Sequence, residues 1–398
     1  MTARVELKPG QKHRVITGHP WVFQTEVSSV EGSFEPGDVV DVVDSKGRFI
    51  GRGYINPASQ ILTRLLTRED EDINEEFIIR RLEAAVLFRK QIYSDKWPPE
   101  SSGIGTRLVF SEADFLPGLV VDDFGGYVVF QTLTLGMDRW KDAVIRGITD
   151  LLAPKGIYER NDAPVRSLEG LPEIAGFVGQ PFDPLVEIDE NGVRHLVDVA
   201  KGQKTGYFLD QQENRSAVRW LAKDKKVLDA FSYSGGFGLS LAKGGAGHVT
   251  AIDVSEAALD LFQASVKLNQ LNTEFQLRAA NAFDELRDYD RKGEFFDVVV
   301  LDPPAFARSR RTVPRALAGY KEINLRAIKV VRPGGFLITS SCSQHLLPAE
   351  FEGVIEDAAR DAGRVLRLLE RRGQARDHPV LVGVPETEYL KCRIYQVL

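Results

Sequence analysis

Short runs in which apolar and polar residues alternate dominate the first seventy residues: Val39-Val40-Asp41-Val42-Val43, Phe49 to Ile55 and Ile61 to Leu66. Turn formers separate them at Glu35-Pro36-Gly37-Asp38 and Ser45-Lys46-Gly47. Period-two runs broken by such turns predict a small β-barrel over residues 1–70. The earlier Gly18 to Phe23 segment is expected to expose its polar and aromatic side chains. The period then lengthens. Ile78, Leu82, Ala85 and Ile92 recur at helical spacing behind Asp72 or Asn74, either of which can cap the helix. A loop is expected from Trp97 to Gly103, then strands at Gly118–Val121 and Tyr127–Thr132, a helix at Arg139–Leu152 and a strand at Ile157–Arg160. Residues 71–184 therefore read as a central α+β domain, with the Gly- and Pro-rich Ser167 to Pro184 stretch as a linker.

Past residue 185 a hairpin turns at Asn191-Gly192, and a helix is predicted over Asp210–Leu221. Strands at Lys226–Ala230, His248–Asp253, Phe275–Ala279, Phe296–Leu301 and Gly335–Ser340 then alternate with helices, the clearest being Glu256–Leu271 with Ser255 as its cap. This alternation predicts an α/β, doubly wound, Rossmann-like and mostly parallel sheet over residues 185–398. Val365–Leu369 and Tyr389–Val397 are expected to pair antiparallel at its edge.

Composition narrows the class. The 398 residues are 43% hydrophobic and 27% charged, as in an ordinary soluble globular protein. No apolar run approaches the ~20 residues of a membrane span, and the N-terminus lacks an apolar signal core. Only Cys342 and Cys392 are present, which fits a reducing compartment and a cytoplasmic protein. No metal-ligating set is expected. The net charge of −6 does not advertise nucleic-acid binding. Patches matter more than totals, however, and Arg308, Arg310, Arg311 and Arg315 crowd one segment without an intervening acid. Beside an active site they would grip phosphates.

Candidate chemistry sits where strands end, at the positions that form the ligand crevice of an open α/β sheet. Val227-Leu228-Asp229-Ala230 runs into Phe231-Ser232-Tyr233-Ser234-Gly235-Gly236-Phe237-Gly238, a strand, a glycine-rich turn and a helix start. Asp253 ends the next strand, where a carboxylate can take ribose hydroxyls. Nicotinamide enzymes share this layout, but the bunched glycines lack full G-x-G-x-x-G spacing. The acid before them suits a cation better than a pyrophosphate. S-adenosylmethionine, cationic and free of phosphate, is therefore the expected cofactor. Asn281-Ala282 follows the third strand, where the amide oxygen could accept from an adenine amine.

The reacting pair comes from the fourth and fifth strands. Asp302 precedes Pro303-Pro304, which hold its turn rigid, and Cys342 lies just past a strand between Ser341 and Ser343. Cytosine carbon-5 is a poor nucleophile, and a thiolate adding to carbon-6 activates it. An isolated cysteine is more often buried packing, the role expected of Cys392, but the strand-end position favours chemistry for Cys342. Asp302 could hydrogen-bond the base at N3.

Asp302-Pro303-Pro304-Ala305-Phe306 with Ser341-Cys342-Ser343 resembles the bacterial ribosomal RNA large-subunit methyltransferase I family, cytosine-C5 methyltransferases acting on 23S rRNA. Gly202 to Gln211, Phe231 to Phe237, His378-Pro379-Val380, Tyr389-Leu390-Lys391 and His19 to Phe23 extend the resemblance along nearly the whole chain. It implies an N-terminal PUA domain, a central α+β domain and a class I methyltransferase domain. It also implies Cys342 as nucleophile, Asp302 as its partner, and Phe208 and Asp210 near S-adenosylmethionine. The cofactor set expected from motif and resemblance together is Phe208, Asp210, Asp229, Phe231, Ser232, Gly235, Gly236, Asp253, Asn281, Ala282 and Asp302. Two positions depart from the family's usual residues: Asn281 for Asp and Gln212 for Arg. The expected partner is RNA with a splayed-out base, and homodimerisation is left open. Competing readings are a base N-methyltransferase that needs no adduct, a non-catalytic RNA-binding factor on a retained methyltransferase fold, and a nicotinamide dehydrogenase.

Overall fold

The computed structural model describes residues 2–10, 13–97, 103–307 and 309–398. Most of the loop expected from Trp97 to Gly103 lies outside the described residues. Two compact units emerge. One comprises Met1–Ile188, Val197–Tyr207 and Arg376–Thr387, and the other Asp189–Leu196, Phe208–Ala375 and Glu388–Leu398.

The first unit holds two sheets. Strands β1 (Ala3–Leu7), β2 (Trp21–Phe23), β3 (Val27–Glu31), β4 (Val39–Val43), β5 (Phe49–Ile55) and β6 (Ile61–Thr67) form one, in the order β2-β6-β5-β4-β1-β3. The strands β4, β5 and β6 match their alternating patterns, whereas β1 and β3 are too short and too polar to declare themselves. Contrary to expectation, His19 is buried; Val22, the aliphatic residue beside it, packs with Val5, Val40, Val42 and Ile55. A cavity of about 610 Å³ opens beside Phe34, Asp38, Arg52 and Asn74, and none of the expected site residues lines it.

The second sheet joins β7 (Gly105–Phe110), β8 (Leu119–Phe124), β9 (Tyr127–Thr132), β10 (Gly156–Asn161) and β11 (Ile174–Val178) in the order β11-β10-β9-β8-β7. Thus the expected linker contains a strand, β11, paired antiparallel with β10. The Glu75–Ile92 helix starts on Asn74, whose side chain accepts from the Phe77 N–H at 2.9 Å. Its Phe77 and Leu82 pack with Val121, Phe130 and Ile148. Arg89, fully buried on that helix, pairs with Asp114 and donates to the Asp377 carbonyl at 2.7 Å. That bond ties a late segment of chain into the first unit.

Next in sequence, β12 (Leu185–Asp189) and β13 (Arg194–Asp198) form a hairpin. Its Asn191 and Gly192 both have positive φ, 55° and 80°, as the twist of such a turn requires.

The second unit is built on β14 (Lys226–Ala230), β15 (His248–Asp253), β16 (Glu274–Ala279), β17 (Phe296–Leu301), β18 (Val331–Ser341), β19 (Leu366–Arg372) and β20 (Lys391–Val397). Their order is β16-β15-β14-β17-β18-β20-β19. The pairs from β16 to β18 are parallel, and β20 runs antiparallel to both neighbours. β20 is therefore interior, and β19 forms the edge. The strand order reverses between β14 and β17, so the crevice opens at the carboxyl ends of those two strands. Apolar side chains fill both faces: Leu228, Leu301 and Leu337 pack on Tyr320, Ile323 and Phe351, while Val227, Val298 and Ile338 pack on Leu221, Phe237 and Leu241. The helix expected over Asp210–Leu221 is broken into short turns at Leu209–Gln211, Gln212–Ala217 and Arg219–Leu221. No helix among the described residues is long and apolar enough to cross a membrane.

Candidate active site

The β14 strand delivers Asp229 into the crevice almost completely buried. One of its carboxylate oxygens accepts from the Gly238 N–H at 2.7 Å, and the other has no partner among the described residues. Burial, reinforced by the charges of Asp302 and Asp253, pushes its pKa up to about 7, against the opposing Gly238 hydrogen bond and Arg215. Three acids thus converge at the switch point with a shortage of positive charge.

The turn after β14 is tightly determined. Phe231 and Tyr233 adopt positive φ, 63° and 48°, an arrangement that costs energy in non-glycine residues. At Gly235, φ is +86° and a Cβ would lie 2.4 Å from the Phe262 ring, so packing and conformation both demand glycine. At Gly236 a Cβ would strike the Arg215 guanidinium at 2.4 Å. Ser232 is buried, its hydroxyl lacking a partner among the described residues. Asp253 accepts from the Tyr233 N–H at 2.8 Å and the Ser255 N–H at 2.9 Å, which aims the carboxylate without exhausting its lone pairs. Beside it Val254, which the sequence reading missed, is 73% exposed and offers an apolar shoulder.

Other expected residues play mixed parts. The Phe208 ring meets Tyr233 edge-on at 5.3 Å, and Asp210 accepts from the Tyr389 hydroxyl at 2.5 Å. Phe231 packs edge-on against Phe283. Asn281 is exposed, and its amide oxygen caps the Ala282–Lys292 helix by accepting from the Phe283 N–H at 2.9 Å. The Ala282 side chain lies in the core. Gln212 is buried at the start of its short helix.

Asp302 and Cys342 follow the adjacent parallel strands β17 and β18, in register at Leu301 and Thr339. The Cys342 sulfur lies 4.0 Å from the Pro303 carbonyl oxygen. Beneath the thiol, the buried Tyr320 hydroxyl contacts the Ser341 and Ser343 hydroxyls at 2.9 and 3.0 Å. Ser343 Oγ in turn accepts from the Ala307 N–H at 3.1 Å, binding the two strand-end loops together. Lys391 Nζ donates to the carbonyls of Ser343 at 2.7 Å and Tyr389 at 2.8 Å. Cys392 is fully buried in the β20 core, and burial pushes its pKa up to about 12, so it is inert packing, though on an interior strand rather than an edge.

Asp302 also has an oriented partner absent from the expected site. Gln211 Nε2 donates to Asp302 Oδ1 at 2.8 Å, while Gln211 Oε1 accepts from Asn214 Nδ2 at 2.6 Å. Asn214 Oδ1 accepts from Arg372 Nε at 2.9 Å. Arginine only donates, so its end of the chain dictates both amide orientations. Gln211 consequently presents N–H, not C=O, to Asp302. Of the basic cluster, Arg310, Arg311 and Arg315 are exposed, with no ion pair among the described residues, around the start of the Val313–Val330 helix. Arg308 lies outside the described residues.

A crevice with buried acids, a partnerless Ser232 hydroxyl and a carboxylate beside an apolar shoulder suits a cationic, hydroxyl-bearing ligand without phosphate. Comparison with known proteins agrees. A family model described as S-adenosylmethionine-dependent methyltransferase matches residues 173–392, and a PUA-like domain matches residues 5–68. A ribosomal RNA large subunit methyltransferase I from Alteromonas mediterranea is 40% identical over 401 residues, covering 100% of this chain and 99% of the relative. The chain belongs to the ribosomal RNA large subunit methyltransferase I family. A second member, from Cronobacter sakazakii, is 39% identical, with 98% of each chain covered. The fold is shared with a chain assigned as a methyltransferase and solved in complex with SAH (TM-score 0.84, 21% identity, 100% of both chains covered). A second such structure, from Streptococcus mutans, aligns with a TM-score of 0.83 at 21% identity, again over 100% of both chains. The family's cofactor is S-adenosylmethionine, and the acids and partnerless hydroxyl of the crevice fit it.

Proposed function

We propose that this family member methylates carbon-5 of a cytosine in large-subunit ribosomal RNA through a covalent adduct of Cys342. The observation that carries the reading is the juxtaposition of Cys342 and Asp302 at the carboxyl ends of adjacent strands, the thiol 4.0 Å from the Pro303 carbonyl. The names of the relatives support ribosomal RNA as substrate.

In this reading the Cys342 thiolate bonds to cytosine carbon-6, and the carbon-5–carbon-6 π pair moves onto carbon-5. When bound, S-adenosylmethionine supplies an electrophilic methyl group. The carbon-5 pair takes that methyl, whose sulfur departs neutral with its bonding electrons; the carbon-5 proton then passes to water, its bonding pair re-forming the double bond and expelling the thiolate, so the enzyme is restored. Asp302 meets the polar edge of the base. Because Oδ1 already accepts from Gln211, a proton carried by Asp302 belongs on Oδ2. Asp229, Ser232, Asp253 and Phe208 hold the cofactor, with Gly235 and Gly236 keeping the turn close and Val254 adding apolar contact. Asp210, held by the Tyr389 hydroxyl, and Phe231, packed edge-on against Phe283, complete the cofactor set. With its amide oxygen engaged as a helix cap, Asn281 contributes at most its remaining lone pair, and Ala282 its backbone. Arg310, Arg311 and Arg315 bind RNA phosphates, and the PUA-like domain adds further RNA contact.

The test is methylation of unmodified 23S rRNA with labelled S-adenosylmethionine, read by nucleoside mass spectrometry. 5-Methylcytidine from the wild type and none from Cys342→Ala is expected. A methylated base that survives the substitution would instead identify a base N-methyltransferase.

A further inference from the structure

Lys391 opens β20 opposite Ser341, the residue before the proposed nucleophile, in the antiparallel register of β18 and β20. It is 4% exposed. Lysine is rarely buried unless paired, because an ammonium out of water loses strong hydration. Yet no carboxylate lies within ion-pair distance of Lys391 among the described residues. Among the described residues its hydrogen-bond partners are the neutral carbonyls of Ser343 and Tyr389. The position lacks a counterion unless one forms nearby.

We propose that Lys391 is a positioning residue for Cys342: its ammonium clamps the Cys342–Ser343 turn and supplies the positive charge that favours the thiolate. The inference rests on the reading of Cys342 as nucleophile and adds how that thiol is made reactive. A cation beside a cysteine lowers its pKa and raises its thiolate fraction. The groups around the ammonium leave that job to the thiol. Among the acids acting on Lys391, Cys342 at the end of β18 has the largest influence, ahead of Glu388 in the preceding turn and Glu350 on the Pro348–Ala362 helix. Arg393, on the same strand, opposes them. Around Cys342 stand Asp302 at the end of the adjacent strand β17, whose carboxylate opposes the thiolate, the Pro303 carbonyl and, from the Val313–Val330 helix, Tyr320, whose hydroxyl is engaged by Ser341 and Ser343. Burial draws the Lys391 pKa down to about 8, so the ammonium still predominates at neutral pH and is lost as pH rises through that value.

The test is the pH dependence of iodoacetamide alkylation, resolved by peptide mass spectrometry on the full chain. Wild type is compared with Lys391→Gln, which keeps an N–H donor but no charge, and Lys391→Arg, which keeps the charge. In wild type the Cys342 thiol should titrate below the ordinary value of about 8.5. Lys391→Gln should raise it by roughly one unit and slow alkylation at pH 7 about tenfold, with Lys391→Arg close to wild type. Buried Cys392 reports folding, since it should react only if a variant opens. A wild-type thiol titrating at or above about 8.5 overturns the proposal whatever the variants do. So does a folded Lys391→Gln with an unchanged profile, or a folded Lys391→Arg that loses as much as Lys391→Gln. Alkylation needs no methyl transfer, so a failed covalent mechanism, seen as full activity in Cys342→Ala, remains separable from a failed role for Lys391.

Discussion

Asp229 should make cofactor binding depend on pH, and replacing it should separate binding from stability. The native carboxyl is held at a pKa of about 7, against an ordinary 3.8, chiefly by burial. Below pH 3.8 both folded and unfolded chains carry the proton, and no difference arises. Between 3.8 and 7 only the unfolded chain has lost it, so Asp229 withdraws stability as pH rises, and the full penalty applies above 7. At about 1.36 kcal/mol per pH unit the three-unit shift amounts to about 4 kcal/mol. A cationic cofactor offsets this by favouring the carboxylate, so binding expels a proton. S-adenosylhomocysteine, which retains an ammonium, should bind about tenfold more weakly at pH 6 than at pH 8. Titration calorimetry in two buffers of different ionisation heat measures both the affinity and the released proton. Asp229→Asn should abolish the pH dependence and weaken binding at pH 8 by about a hundredfold, the scale of a charged hydrogen bond. The same variant without ligand should be more stable at pH 8 by about 2 kcal/mol, because the relieved penalty exceeds the cost of an amide lacking an acceptor. A flat affinity from pH 6 to 8 with no buffer-dependent heat would refute the reasoning.

Gln211→Leu removes the donor from Asp302 and should lower kcat by about ten- to a hundredfold while leaving S-adenosylhomocysteine affinity nearly unchanged, as steady-state kinetics and calorimetry would show. Tyr320→Phe strips the hydroxyl shared by Ser341 and Ser343 and should cost about 1–3 kcal/mol in urea unfolding, without a change in m. Replacing Arg310, Arg311 and Arg315 together with Ala should flatten the slope of log affinity for single-stranded RNA against log salt by about 2, since each phosphate contact contributes about 0.7. An unaltered slope would place the RNA elsewhere.

Much of this was legible along the chain because it is local. Strands β14, β15, β17 and β18 announce themselves as apolar runs and β16 by alternation, the Asn191-Gly192 turn by residues that tolerate positive φ, and the Asn74 and Ser255 caps by side chains that satisfy their own neighbours. Position at a strand end was enough to name Asp229, Asp253, Asp302 and Cys342 as candidates, and the structure places all four at or just past strand ends. The strands β1, β3, β7 and β11 escaped because their patterns are short or polar and only pairing with a neighbouring strand defines them. The helix expected at Asp210–Leu221 broke up because Asp210, Gln211 and Asn214 spend their side chains on Tyr389, Asp302 and Gly373.

The split follows the range of the interactions. Periodicity and turn chemistry act over a few residues, so the order of strands and helices and the polar tips of the sheet were already written in the linear chain. The company those tips keep was not. Gln211 reaches Asp302 across 91 positions, and Lys391 reaches Ser343 across 48. The raised Asp229 pKa depends on burial and on two acids that only the folded sheet brings near. Hydrogen bonds and charges act through space with no regard for sequence separation, so the candidate groups at the strand ends could be named from the chain, whereas the partners and burial that surround them required the fold.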